Sequence, residues 1–132
     1  LDLVPFATQS KWGMLSKTEQ DKLIEISSSF LGRIISESKV KVLILNGKSV
    51  VTGFEKISDI KFCQKEMRKW DLPRKSGNSI RGFGYEGFVS KVGGIDIKKS
   101  IRVIGFNHNI QSSFGVTTEV RDSIRDWIGK RV

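Results

Sequence analysis

Between Phe106 and Phe114 the chain reads Asn107-His108-Asn109-Ile110-Gln111-Ser112-Ser113. Carboxamides, hydroxyls and one imidazole supply both hydrogen-bond donors and acceptors without a fixed charge. Such a set suits a neutral, flat, polar ligand such as a nucleobase. Two further groups carry a different chemistry. Lys11 and Trp12 pair a cation with a large aromatic ring, which suits phosphate and base stacking. Arg68, Lys69, Arg74, Lys75 and Arg81 surround Gly77-Asn78, a basic loop suited to phosphate. A rival grouping is Glu86 with Asp96-Ile97-Lys98, a carboxylate followed by Asp-x-Lys, as in metal-dependent nucleases. There two carboxylates would hold Mg²⁺ and the lysine would orient the attacking water.

These residues need elements to hold them. Val103 to Phe106 is the end of an apolar run, and a helix signal capped by Thr117 follows the polar loop. Strand, polar loop, helix is the order that places ligand loops at the carboxyl ends of strands in an α/β sheet. Upstream, residues 1–6 read as a short buried strand. Ser16 and Glu19 form a capping box that opens a helix to about Ile35, with Leu23, Ile26, Phe30 and Ile34 on its apolar face. Val40 to Leu45 is a near-continuous apolar run, the pattern of a strand buried on both faces of a parallel sheet. Asn46-Gly47 turns the chain into a short helix from Lys48. Ser58 or Asp59 caps a further helix to about Trp70, with Cys63 in its core face. Two strands joined at Gly93-Gly94 form a late hairpin. The resulting expectation is a three-layer α/β/α domain with a mostly parallel central sheet and a late β-hairpin insertion.

At 132 residues the chain is a single domain. It carries 23 Lys and Arg against 14 Asp and Glu, a net charge of +9. That excess points to a polyanionic partner, DNA, bound in a salt-dependent way. No apolar run spans a bilayer and no helix pairs a basic with an exposed apolar face, so a membrane partner is not expected. One Cys excludes an internal disulfide, one Cys and one His argue against a zinc centre, and the expected compartment is the cytoplasm or nucleoid. No cofactor or resident metal is expected. Oligomeric state is not written in the sequence.

The opening Asp2-Leu3-Val4-Pro5-Phe6, the capped helix, the run Val40 to Gly47 and the Asn107-His108-Asn109-Ile110 segment resemble the C-terminal half of the uracil-DNA glycosylase superfamily. The resemblance covers most of the chain apart from the hairpin at 81–101. It implies an α/β DNA-repair domain, residues 1–132, that lacks an N-terminal portion. It also implies base flipping and N-glycosidic bond hydrolysis in the intact parent. On that reading Asn107 and His108 are the catalytic positions. Asp2, Asn109, Gln111, Ser112 and Ser113 meet the base, and Lys11, Trp12, Arg74, Lys75 and Arg81 hold the DNA backbone. Asp2 stands where the family reads its base with Asn, and Asn107 where it has an electrophilic His. Uracil release by this chain alone is therefore not expected. The alternatives are the Glu86/Asp96/Lys98 nuclease and a non-enzymatic DNA-binding module.

Overall fold

In the computed structural model the chain is described at residues 4, 10–74, 77–111 and 115–132. Apart from residue 4, the expected strand at 1–6, and with it Asp2, lies outside the described residues, as do Lys75, Ser112 and Ser113. A 3-10 turn, Trp12–Met14, leads into helix α1, Lys17–Glu37. Strand β1, Val42–Asn46, is followed by helix α2, Lys48–Ile57. Strand β2, Cys63–Glu66, and a second 3-10 turn, Arg68–Trp70, precede the long hairpin. That hairpin is β3, Phe83–Val92, and β4, Ile95–Phe106; helix α3, Thr118–Gly129, closes the chain.

The start of α1 follows from local chemistry. Ser16 Oγ accepts from the Glu19 amide at 3.3 Å, and Glu19 Oε2 accepts from the Ser16 amide at 2.7 Å. Two donors that the helix itself leaves open are thereby satisfied. Thr117 caps α3 with a single bond, its side chain accepting from the Val120 amide.

The sheet corrects the expected architecture. Among the described residues its order is β1-β4-β3-β2, and of these pairs only β1–β4 is parallel. β3 pairs antiparallel with both β4 and β2, so the sheet is mixed and mostly antiparallel rather than mostly parallel. The cause is connection length. β3 and β4 are joined by Gly93 and Gly94, with φ of +55° and +76°. A two-residue turn with both φ positive joins antiparallel neighbours; parallel neighbours need a crossover of a dozen residues or more.

A second correction lies at 59–70, where a helix was expected. The cap-like residue Asp59 is used across the fold instead. Its Oδ1 accepts from the amides of Ser90 and Lys91, at 3.0 Å each. Partial burial pushes its carboxyl up, but those backbone donors outweigh it and hold the group below the ordinary aspartate range. The chain beyond it joins β3 as an edge strand, and Cys63 is exposed rather than in the core.

β4 is an interior strand, and its last residues, Val103 to Phe106, are buried on both faces. Ile101 and Val103 join Leu31 and Ile35 of α1 and Val51 and Phe54 of α2 in one cluster. Ile104 and Phe106 join Trp70, Val120, Ile124 and Trp127 in another. The apolar run at β1, expected to be buried on both faces, is the outermost of the described strands on its side, and Ile44 keeps 49% of its surface exposed. The apolar stripe of α1 is also displaced. Ile24, Leu31 and Ile35 are buried, whereas Ile26 and Phe30 are 56% and 53% exposed. Gly32 and Gly93 let α1 lie against the hairpin turn. A Cβ on Gly32 would come 2.2 Å from the Val92 carbonyl oxygen, and one on Gly93 would come 2.2 Å from the Ser28 backbone.

Candidate nucleic-acid interface

The polar loop begins where β4 ends, beside the carboxyl end of the parallel strand β1. Its amides are largely spent on architecture. Asn107 Oδ1 accepts from the Phe83 amide at 2.7 Å, and Asn107 Nδ2 donates to the Arg81 carbonyl oxygen at 2.8 Å. The side chain thus continues the β3–β4 ladder by one rung. His108 is 3% exposed, and its Nε2 lies 2.7 Å from the carbonyl oxygen of Trp70. A carbonyl only accepts, so this nitrogen carries the proton. The imidazole therefore pins the Arg68–Trp70 turn to the end of β4.

Asn109 Oδ1 accepts from Asn46 Nδ2 at 3.3 Å and from the Gln111 amide at 3.0 Å. Asn46 Oδ1 accepts in turn from the Ile110 amide at 3.1 Å. Asn46, which ends β1, was read from sequence only as part of a turn. Its partnership with Asn109 spans two parallel strands and was not visible locally. Asn46, Asn109 and Gln111 border a groove of about 320 Å³ whose other walls are apolar side chains of α1, β1 and α2. The structure brings these three amides together.

The expected backbone-binding residues divide. Lys11 and Trp12 are exposed, and Trp12 borders a small cleft with Ser49, Thr52 and Lys56 of α2. Arg74 and Arg81 lie beyond β2, at the other edge of the sheet, so the two groups do not form one surface.

That β2 margin is the strongest electrostatic feature of the sequence. Residues 61–81 hold Lys61, Lys65, Arg68, Lys69, Arg74, Lys75 and Arg81 against Glu66 and Asp71. Both acids are engaged. Glu66 lies 3.7 Å from Arg81, and Asp71 Oδ1 accepts from the Gly82 amide at 2.8 Å. All four residues of β2 are exposed, as are Lys61, Arg68, Lys69, Arg74 and Arg81. Beneath them the scaffold is fixed. Trp70 is fully buried, donates from Nε1 to Ser123 Oγ at 3.1 Å, and meets Trp127 edge-on at 5.3 Å. Leu72 and Ile80 exchange backbone hydrogen bonds of 2.9 and 2.8 Å, closing the basic loop between them at its root. Lys65 thus stands on an edge strand and Arg68 and Lys69 on a 3-10 turn, not on the expected helix.

The rival carboxylate grouping is dispersed. Glu86 pairs with Ile104, and Asp96 pairs with Lys91, five residues further along β3. At about 3.3 Å per residue the two acids are about 16 Å apart. Glu86 is held by Arg131 at 2.7 Å and Arg102 at 3.1 Å, while Asp96 accepts from the Lys98 amide at 2.8 Å. Among the described residues no group of three His, Cys, Asp or Glu is placed to hold a metal ion, and no helix is long and apolar enough to cross a membrane.

Comparison with protein-family profiles, with characterised proteins and with solved structures gives no match for the chain.

Proposed function

We propose that this chain is a DNA-binding module that grips the phosphate backbone with the margin formed by β2, the Arg68–Trp70 turn and the loop after it. The observation that carries the reading is that Lys61, Lys65, Arg68, Lys69, Arg74 and Arg81 are all exposed, on and around the β2 margin that the buried Trp70 anchors. Lys and Arg on such a surface displace condensed counterions from a polyanion, which gives affinity without base contacts. Within this reading Asn107 and His108 hold the β4 loop and the 3-10 turn in place, and bond cleavage is not assigned to them. The exposed thiol of Cys63 suits a reducing compartment, and the cytoplasm is the natural one.

Fluorescence anisotropy with a labelled oligonucleotide, repeated across a salt series, tests this. Affinity is expected to fall steeply with salt. Replacing Lys65, Arg68 and Lys69 together by Ala is expected to reduce the log–log slope by about two to three. No binding at low salt, or a slope unchanged in the triple variant, would overturn it.

A further inference from the structure

Phe88 is the large apolar side chain on β3 that stays open to water, at 65% exposure. Successive side chains of a strand alternate between faces, so Gly84, Glu86 and Phe88 share the face that α3 covers. α3 covers only part of it. Trp127 lies over Gly84, with ring atoms 3.0 Å from where a Cβ would stand, and Arg131 reaches Glu86. Among the described residues α3 does not reach Phe88, which keeps 65% of its surface exposed.

The neighbours of Phe88 are cationic. Arg102 is its register partner on β4. On the other side β2 begins at Cys63, opposite Glu86; the same alternation carried two residues back, past the end of the strand, would bring Lys61 beside Phe88. The Lys61 carbonyl oxygen would come 2.9 Å from a Cβ on Gly87, so the Lys61 backbone runs alongside this part of β3. Among the described residues the acids nearby are Glu86, shared between Arg102 and Arg131, and Asp59, whose carboxylate takes the Ser90 and Lys91 amides; Lys61, Arg102 and Arg131 outnumber them. Lys65 lies on this face too, opposite Gly84, and joins it to the basic margin.

A flat aromatic ring on an open sheet face, with a cation one strand away on each side, presents what one unpaired nucleotide needs. The base stacks on the ring, and its phosphates meet the flanking charges. A base inside a duplex has both faces covered by its neighbours and cannot use such a ring. We infer that the open sheet face at Phe88 is a base-stacking platform for single-stranded nucleic acid, with Lys61 and Arg102 at the adjoining phosphates. The inference rests on the nucleic-acid reading above and adds strand preference and a contact residue to it.

The test uses the full chain with labelled oligo(dT), oligo(U) and a DNA duplex of equal length. Phe88→Ala is expected to weaken single-strand binding about tenfold while duplex binding and the salt slope stay as in the unaltered chain. Phe88→Tyr is expected to restore most of the loss, because any aromatic face stacks. A fluorophore on Cys63, the single cysteine, should respond to single strands and much less to duplex. The two oligonucleotides decide between DNA and RNA as the source of the strand. If Phe88→Ala leaves single-strand binding intact while the Lys65/Arg68/Lys69 variant loses it, the platform falls and the DNA-binding reading stands. Equal losses on single strand and duplex also overturn the platform. If the unaltered chain binds none of the three at low salt, both fall together.

Discussion

Asn107 Oδ1 accepts the backbone N–H of Phe83 at 2.7 Å, so the residue best placed by type to read a ligand is instead reading the first rung of β3. The other end of the amide is equally committed, donating to the Arg81 carbonyl oxygen at 2.8 Å. Asn107→Ala removes both partners from half-buried backbone. The expected loss is about 1–3 kcal/mol of stability in urea unfolding. Nucleic-acid affinity of the folded variant should stay within about twofold of the parent. A variant of unchanged stability and strongly reduced affinity would return Asn107 to a ligand-facing role.

Glu86 gives the fold a defined acid sensitivity. Partial burial pushes its carboxyl up, but hydrogen bonds and charge from Arg131 and Arg102 outweigh this and hold it below the ordinary glutamate value. A group whose folded value is depressed contributes stability that is present above its unfolded value, about 4.3. That stability is lost as pH falls through the folded value. The melting temperature should therefore drop more between about pH 5 and pH 3 in the unaltered chain than in Glu86→Gln. The variant should be the less stable of the two at neutral pH, because it leaves two arginines without their counter-charge. Parallel pH profiles for the two proteins would show that the triad contributes nothing.

What could be read in advance follows the distance over which each signal acts. The Ser16–Glu19 capping box and the Thr117 cap are complete within four residues, and both helices start where their sequences say. The hairpin at Gly93-Gly94 is equally local. Asp59 carries a helix-cap side chain, yet its carboxylate serves amides more than thirty positions away, and only the folded chain reveals that choice. The same holds for β2. Its four exposed residues show no apolar alternation, and it is a strand because β3 offers an open edge. At the site, charge was legible because composition is additive. The spending of Asn107 and His108 on Phe83, Arg81 and Trp70 was not, because those contacts close over 24 to 38 positions of chain.

The displaced face of α1 has a simple thermodynamic consequence. Ile26 and Phe30 repeat at helical spacing but stand in water, whereas Leu31 and Ile35 of the same helix are 6% and 2% exposed. Ile26→Ser and Phe30→Ser should each change stability by no more than about 0.5 kcal/mol. Leu31→Ala and Ile35→Ala should each cost about 2–5 kcal/mol. Thermal or chemical unfolding of the four variants separates the two faces. A large loss at Ile26 or Phe30 would mean that the exposed stripe is covered in solution.

Gly82 couples the core to the basic margin. A Cβ there would come 2.3 Å from Trp70 Cβ and 2.7 Å from the Met67 carbonyl oxygen. Neither can swing aside: one is backbone, and the other is the root of a fully buried indole. Gly82→Ala must push the Arg68–Trp70 turn away from the start of β3. That strains the 2.8 Å bond from the Met67 amide to the Gly82 carbonyl oxygen and the one from the Gly82 amide to Asp71. Overpacking of this kind costs about 1–3 kcal/mol. Because Arg68 and Lys69 ride on the displaced turn, affinity for nucleic acid should fall at temperatures where the variant is still folded. Gly13→Ala, with nothing within 4 Å of the new methyl, is the control and should change neither quantity. Melting curves and anisotropy on the same samples give both readouts. A Gly82→Ala protein that loses stability but binds as tightly as the parent would uncouple the turn from the interface and place the phosphate contacts elsewhere on the surface.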